Sequence, residues 1–568
     1  MTLLSLNDDV LLLIFSLLHG NDALHACLTC KRAYHLAIAR VASSVQCWAP
    51  VRLRQLYDYY LSSDPFTGAA RARYLENLTI HAPTFEPERS APDSQDLNLD
   101  HVDDLDLEFD VLVGTDFSQA HLIGELLIHA QNIQELSLDR FHPLVRKEPR
   151  IALAFSAMHQ LAHIRLAMVG DGTLDTLHSL RNPKRLTLSY HTYDDDPLDE
   201  PKTLPPLLTA LASFPNLHTV KLWNFTPPHP DDSTTLPPLP SVRYLRLSQS
   251  SVPALEMVQL CPNLSTLVFS VDSDAGDVVA SYGPRWRPLR RLMLAAPEVG
   301  VCVVDRVNMV RVLHVSGALE LSGFTPRVDG DDISQFLELL RVASPVGLYA
   351  ALRVEMDGFS STFWKDIPTS APRLRSLEIK LLYNTLQSGE DDNWLASHLV
   401  NALGNTPRLL VLKILVPPTP EPLRVFYSWE WDSDVDHIQA PAEAKAREMA
   451  RVSALAALPR PLVDAIPSLR YLSVADMALN PALEKDAPEW VSDAASSRAE
   501  DGVVYEWDEL REVDAIRKQM WWKIAEEDGR RTMVEISEDE GERAQRVVED
   551  GDFEDVSQIE EALASLYL

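Results

Sequence analysis

Short apolar phrases of the form apolar-x-x-apolar-x-apolar recur along most of the chain, often just after a proline. Three of them run over Pro215–Leu222, Pro262–Phe269 and Pro467–Val474. The others begin at Leu75, Ile133, Leu161, Pro183, Val242, Leu289, Val310, Tyr349, Leu374 and Leu409. The last two apolar positions of each phrase are two residues apart, which puts both side chains on one side of an extended strand. The pattern therefore predicts a series of short strands, each with one buried face.

Stretches with helical spacing of apolar residues separate many of these strands. They lie at Leu207–Phe214, Val252–Leu260, Ile333–Val342 and Trp394–Leu403. Between Leu217 and Val310 successive phrases begin 21–25 residues apart, which is the period of a leucine-rich repeat. We therefore predict an α/β fold, a right-handed leucine-rich-repeat solenoid over residues 51–480 with insertions at 76–132 and 415–468. The competing interpretation is an ordinary parallel sheet, where leucine alternation is also common.

The first 50 residues follow a different, all-helical pattern. Asn7 is a good N-cap, and Asp8 and Asp9 suit the positive end of a helix dipole. The following run, Val10–Leu18, is apolar on every side of a helix and must be covered on every side. Because a piece of this size cannot bury such a helix alone, a partner protein is the expected cover.

This segment resembles an F-box. The resemblance rests on Leu6, Asp9, Val10, Leu11, Ile14, Phe15 and Leu18, followed by Leu28, Lys31, Arg32 and Tyr34 around Cys30. Asn7 stands where that family usually has proline, which puts the strength of adaptor binding in question. The resemblance implies that the adaptor-binding residues are Leu6, Asn7, Val10, Leu11, Ile14, Phe15, Leu18, Leu28 and Tyr34.

The helical start and the strand ladder together resemble F-box/leucine-rich-repeat proteins, especially the large fungal set. That resemblance implies a substrate-recognition adaptor of an SCF-type (Skp/cullin/RING) ubiquitin ligase. Its N-terminal unit would bind a Skp-type adaptor and through it a cullin, and its repeat arc would bind a protein substrate. The alternative is an interaction scaffold outside ubiquitin chemistry, in which the N-terminal helices only cap the solenoid.

The residue between the last two apolar positions of each phrase points away from the predicted core. Among thirteen such residues five are Lys or Arg and one is acidic, although the whole chain has 51 basic and 83 acidic residues. We predict a basic strip that captures an acidic or phosphorylated partner segment. Its candidate residues are Arg165, Lys221, Arg246, His314, Arg353 and Lys413. The alternative is a set of solvated charges whose long stems cover apolar surface.

Residues 481–568 form a predicted acidic cap of mixed structure. We expect a helix near Trp507, then a Trp-rich hairpin over residues 521–536 that turns at Asp528-Gly529. Ser537 and Glu540 have the spacing of a capping box and predict a further helix. Such a cap would cover the exposed end of a solenoid.

Composition limits the remaining classes of function. The net charge of −32 argues against nucleic-acid binding and against docking on anionic membranes. Five scattered cysteines predict reduced thiols in the cytoplasm or nucleus, and we interpret Cys27 and Cys30 as two buried thiols rather than metal ligands. No phosphate-binding loop, His-Glu-x-x-His or Gly-x-Ser-x-Gly motif is present. We therefore expect no enzyme activity, no metal and no cofactor.

Overall fold

The structure is a computed structural model whose contacts divide the chain into two compact units. The first unit comprises Met1–Leu264 with Val271–Ala275, and the second comprises Ser265–Ser270 with Gly276–Leu568. The predicted domain boundaries after residues 50 and 480 stay predictions. The structure describes residues 6–18, 20–65, 68–87, 115–170, 173–190, 204–227, 236–271, 283–297, 299–321, 331–354, 363–382, 394–404, 406–417, 440–478, 518–527, 529–551 and 556–565.

The first unit begins with three short helices that pack on one another and continues with strands and helices in alternation. Its α-helices are α1 (Asp8–Ser16), α2 (Gly20–Cys27), α3 (Lys31–Val41), α4 (Pro50–Leu61), α5 (Ala120–His129), α6 (Phe141–Lys147), α7 (Arg150–Ala157), α8 (Leu174–Leu177), α9 (Leu204–Ala212) and α10 (Glu256–Leu260). Short 3-10 helices span Arg71–Tyr74, Ala82–Phe85 and Val252–Leu255.

The strands of the first unit form a parallel sheet in chain order. They are β1 (Ser44–Cys47), β2 (Asn77–Ile80), β3 (Glu135–Leu138), β4 (His163–Ala167), β5 (Arg185–Ser189), β6 (Thr219–Trp223) and β7 (Tyr244–Ser248). In β6 and β7 the register pairs Val220 with Leu245 and Leu222 with Leu247, and all four side chains are fully buried. The predicted strands of this unit are confirmed, and β1 is a strand that the phrase pattern missed.

A left-handed turn residue directly follows three of these strands. Met168 after β4, Asn224 after β6 and Gln249 after β7 have φ angles of 58°, 53° and 48°. Residues other than glycine, asparagine and aspartate seldom adopt this backbone conformation. The same turn therefore recurs at the carboxyl end of strands that differ in sequence.

The second unit has parallel strands followed by an antiparallel hairpin. The strands are β8 (Thr266–Phe269), β9 (Leu289–Leu294), β10 (Val310–Leu321), β11 (Gly347–Val354), β12 (Ser376–Leu382), β13 (Val411–Leu415), β14 (Tyr471–Ala475), β15 (Met520–Glu527) and β16 (Arg530–Ile536). Strands β8 to β14 pair in parallel, while β15 pairs antiparallel with both β14 and β16. The predicted Trp-rich hairpin is confirmed, and Gly529 at its turn has a φ of 74°.

The helices of the second unit include all those predicted among its described residues. They are α11 (Gly300–Val303), α12 (Asp331–Ala343), α13 (Phe363–Ser370), α14 (Trp394–Leu403), α15 (Ala440–Ala457), α16 (Pro459–Ala465), α17 (Glu538–Asp550) and α18 (Val556–Ser565). The Ser537 hydroxyl accepts a hydrogen bond from the Glu540 amide at 3.3 Å and caps α17 as predicted. The helix predicted near Trp507 lies outside the described residues.

A buried ion pair fixes α15 to the ends of the strands beside it. Arg451 and Glu448 are 3% and 0% exposed, with Nη2 and Oε1 2.5 Å apart. The guanidinium also donates to the carbonyl oxygens of Val416, Asp476 and Ala478 at 2.6–2.8 Å. The two carboxylate oxygens and three carbonyls thus satisfy a charge that would otherwise be costly to bury.

Among the described helices, none is both long and apolar enough to cross a membrane.

Candidate partner-binding surfaces

The interior of the three N-terminal helices contains two residues that the sequence assigns to adaptor contact. Leu11 is 0% exposed and Phe15 is 3% exposed, and both pack against Ala33, Ala37 and Ile38 of α3. Side chains sealed in this way cannot touch a partner. The structure therefore corrects their assignment: Leu11 and Phe15 hold the helices together and support the surface from below.

The start of α1 is held by polar contacts from its own cap and from α3. The Asn7 side chain accepts a hydrogen bond from the Asp9 amide at 3.4 Å, as the cap prediction requires. Arg32 donates to the Leu6 carbonyl at 2.8 Å and to Asp8 Oδ1 at 2.6 Å. Because Arg32 and Asp8 are half-exposed, this pair contributes little energy but fixes where α1 begins.

The outer side of α1 is an exposed apolar stripe. Val10, Leu13 and Leu17 are 44%, 64% and 78% exposed, and they recur at helical spacing on one side of the helix. We call these three residues the α1 stripe. Leu24 on α2 and Leu28 directly after it are also exposed, as is Leu12 on another side of α1. Large apolar side chains left exposed together mark an interaction surface.

The remaining predicted adaptor contacts fall between the interior and the stripe. Leu6, Ile14, Leu18 and Tyr34 are half-buried and pack against the interior cluster. Tyr34 also directs its hydroxyl at Asp64 Oδ2, 3.5 Å away. Sequence reasoning missed Leu12, Leu13, Leu17 and Leu24 as surface residues, although the apolar residues on all sides of α1 gave the signal.

The two N-terminal cysteines differ in exposure. Cys27 is buried, and burial raises the pKa of its thiol. Cys30 is exposed at the start of α3, where hydrogen bonding from the Ala33 amide lowers the pKa of its thiol. The prediction of two buried thiols is therefore wrong for Cys30. In the described part of the chain, no group of three His, Cys, Asp or Glu side chains is placed to hold a metal ion.

Residues 3–38 match the F-box domain family. The N-terminal helical unit is an F-box domain. The match covers α1, α2 and most of α3 and none of the strands. F-box domains bind Skp-type adaptors in SCF complexes, so the domain indicates in general an SCF-type substrate adaptor. No curated protein matches the chain.

Beyond the F-box domain, the first unit presents a polar sheet face on β4 to β7. The register aligns Arg165, Thr187, Lys221 and Arg246 in one row across these strands. The rows on either side of it, on the same face, hold His163, Arg185, Thr219 and Tyr244, and Ala167, Ser189, Trp223 and Ser248. We call these twelve residues the β4–β7 face. Each of the four strands contributes one Lys or Arg to it, and none contributes an Asp or Glu.

Two of the four basic residues on this face are exposed, and a third is held in place. Arg165 and Arg185 are exposed and form no hydrogen bond or ion pair with the described residues. Arg246 lies over the Trp223 ring at 4.4 Å and donates to the Ser248 hydroxyl at 2.8 Å. These contacts fix the guanidinium of Arg246 before any ligand arrives.

The equivalent row of the second unit is not a basic strip. The register aligns His314, Tyr349, Glu378 and Lys413. His314 stacks on Tyr349 with ring centroids 5.1 Å apart, and Lys413 Nζ lies 3.6 Å from Glu378 Oε2. In the backbone register, Arg353 lies opposite Glu320 of β10, four residues further along β11 than Tyr349. The prediction that Arg353 shares one row with His314 and Lys413 is therefore wrong, and Glu378 lies in that row between Tyr349 and Lys413.

Helix α17 covers this face of the second unit. The Glu549 carboxylate is 1% exposed and accepts from the Ser376 hydroxyl at 2.8 Å and the Tyr349 hydroxyl at 3.2 Å. Gln545 donates to the Tyr349 hydroxyl at 2.9 Å. Burial raises the pKa of Glu549. The chain itself therefore occupies the surface that the sequence assigned to a partner.

Acidification is expected to lower the stability of β10, because His314 is buried in its neutral form. Burial lowers the pKa of His314 from 6.5 to about 4, so the unfolded state binds a proton more readily than the folded state. The contribution of His314 is therefore complete above pH 6.5 and is lost as the pH falls towards 4, amounting to about 3 kcal/mol. Amide hydrogen exchange of β10 measures this loss, and His314→Phe should flatten its pH dependence. Equal pH dependence in both proteins would contradict the assignment.

Proposed function

We propose that this protein is a substrate-recognition adaptor of an SCF-type ubiquitin ligase. Its F-box domain binds a Skp-type adaptor and through it a cullin, and its strand and helix array binds a protein substrate. The observation that carries the proposal is the α1 stripe, because it leaves three large apolar side chains exposed within the segment that matches the F-box family. In this role the chain performs no chemistry and raises the local concentration of substrate near the ubiquitin-charged enzyme.

The size of the α1 stripe is sufficient for a specific contact. Burying an exposed leucine side chain contributes roughly 1.5–3 kcal/mol, so Leu13 and Leu17 together can account for several kcal/mol of binding. The interior beneath them is already closed by Phe15 and Leu11. The stripe is thus presented on a formed helix, which lowers the ordering cost of binding.

We further propose that the strands and helices are an irregular leucine-rich-repeat solenoid. Three features support this within the first unit: the parallel strands in chain order, the layered apolar pairs such as Val220 with Leu245, and the recurring left-handed turn. The second unit supports it with the parallel series β8 to β14. In such an array one sheet face packs under helices and the other is available for partners.

Binding of a purified recombinant Skp-type adaptor tests the adaptor role. The double variant Leu13→Asp/Leu17→Asp is expected to weaken binding about hundredfold, because two buried leucine contacts of about 1.5 kcal/mol each are replaced by desolvated charges. Both residues are exposed in the free protein, so the fold should be unchanged. The matched control is Leu153→Asp, since Leu153 is 69% exposed on α7 outside the F-box domain.

Two outcomes would contradict the proposal. One is that the unaltered chain does not bind the adaptor at micromolar concentrations. The other is that the double variant and the Leu153 control bind equally well. In either case the N-terminal helices would be better explained as a cap on the sheet, a role that the packing of Tyr74 against their interior also allows.

A further inference from the structure

We infer that the β4–β7 face binds an acidic peptide segment of a partner protein, one that carries carboxylate or phosphate groups. The inference rests on the proposed function in that this segment would belong to the substrate. It differs from the sequence prediction, because the surface excludes His314, Arg353 and Lys413 and includes Arg185 and Trp223.

The charge of the face is opposite to that of the chain. Its twelve side chains hold four Lys or Arg residues and no Asp or Glu, whereas the whole chain holds 83 acidic and 51 basic residues. Long-range attraction of an acidic segment to this chain is therefore weak, and binding must come from close contact at this face.

The geometry suits two anionic groups on one segment. Arg165 on β4 pairs with Thr187, and Arg185 on β5 lies two residues before Thr187, so the two arginines are diagonal neighbours. Cα atoms in such positions are roughly 7–8 Å apart. Both guanidinium groups are exposed, and each can bind a carboxylate or a phosphate with two parallel hydrogen bonds.

Arg246 and Trp223 provide a third, preorganised contact. The indole ring and the Ser248 hydroxyl hold the Arg246 guanidinium at 4.4 Å and 2.8 Å. A guanidinium fixed in this way loses little side-chain entropy when it binds an anion. From β4 to β7 the strands span about 15 Å, which roughly five residues of an extended peptide cross.

The second unit contains an intramolecular example of a carboxylate on a polar sheet face. There Glu549 of the acid-rich helix α17 is seated on Ser376 and Tyr349, and Arg290 holds Asp550 with Nε and Oδ1 2.9 Å apart. That face is closed by its own chain. On the β4–β7 face, Arg165 and Arg185 remain exposed to solvent.

A protein segment fits these observations better than a nucleic acid. Nucleic-acid binding draws on many phosphate contacts and a basic surface. This chain has a net charge of −32, and the face offers four basic side chains. A short acidic segment needs no more than that number.

Fluorescence anisotropy with the full chain tests the inference. The probes are degenerate peptides of about ten residues, long enough to cross the face, with a fixed Glu-x-Glu, phosphoserine-x-Glu or Gln-x-Gln centre. We expect one of the first two to bind at least about tenfold more tightly than the Gln peptide, with affinity that falls as salt rises. Comparison of the first two shows whether carboxylate alone is sufficient or phosphate is required.

The double variant Arg165→Glu/Arg185→Glu should reduce that affinity to the level of the Gln peptide. Its matched control is Arg146→Glu/Lys147→Glu, which makes the same charge change at exposed positions of α6. Both variants should still bind the Skp-type adaptor, which separates this test from that of the F-box domain. Equal binding of all three peptides, no binding of any peptide, unchanged affinity in the double variant, or tighter binding of a single-stranded RNA would each overturn the inference.

Discussion

Replacing Phe15 by alanine is expected to unfold the F-box domain locally and to abolish adaptor binding as a consequence. Phe15 is 3% exposed and packs with Leu11 against α3. Removing a buried phenylalanine side chain costs about 3–5 kcal/mol. A unit of three short helices has little stability to spare, so this loss should open it for much of the time.

Hydrogen exchange of α1, α2 and α3 measures this effect separately from the rest of the chain. Phe15→Ala should lose most of the protection in all three helices. Leu17→Ala is the control, because Leu17 is 78% exposed at the C-cap of α1. Its removal should reduce adaptor binding while leaving protection intact. Retained protection in Phe15→Ala would show that the interior of the domain is assigned incorrectly.

Replacing Trp521 by alanine is expected to release α17 from the sheet of the second unit. Trp521 is 1% exposed and lies in a cluster with Val411, Tyr471, Ala544 and Val548. The expected cost is about 3–5 kcal/mol. Gln545 and Glu549 are seated only while the helix stays in place, so their hydrogen bonds to Tyr349 should be lost together with it.

Limited proteolysis and hydrogen exchange of α17 measure the release. Val534→Ala is the matched control, because Val534 is 49% exposed on the neighbouring strand of the same hairpin. Gly541→Val is an independent variant, since a Cβ at Gly541 would collide with the Trp521 indole. If α17 exchanges equally slowly in Trp521→Ala, Gly541→Val and the control, the cluster does not hold the helix.

Most strands could be predicted because buried positions alternate with part-exposed ones along them, as in β5 and β6. Every one of the thirteen phrases coincides with a strand, from β2 to β14. The predicted register is wrong at β11. The run from Leu348 to Leu352 is almost wholly apolar, so alternation of apolar and polar residues does not decide which residues share a face or a row. Arg353 was therefore placed four residues beyond the row that holds His314 and Lys413.

The surfaces were harder to predict than the elements. The inner and outer sides of α1 are both made of large apolar residues, so a single sequence cannot tell the buried Phe15 from the exposed Leu17. Cys30 was predicted to be buried, but α2 ends at Cys27 and Cys30 precedes α3 at an exposed position. The packing of α17 on the strands of the second unit could not be predicted. The sequence of α17 indicates an amphipathic helix but not the surface on which that helix packs.

The contact between Arg290 and Asp550 joins residues that are 260 positions apart. A ribosome therefore makes β9 long before α17, and the parallel strands of the second unit can pair while Tyr349 and Glu378 are still uncovered. Contacts of such long range slow folding, and strand faces that wait for a late segment are prone to association with other chains. Nascent chains stalled before residue 538 should accordingly bind general chaperones more than chains released after α17.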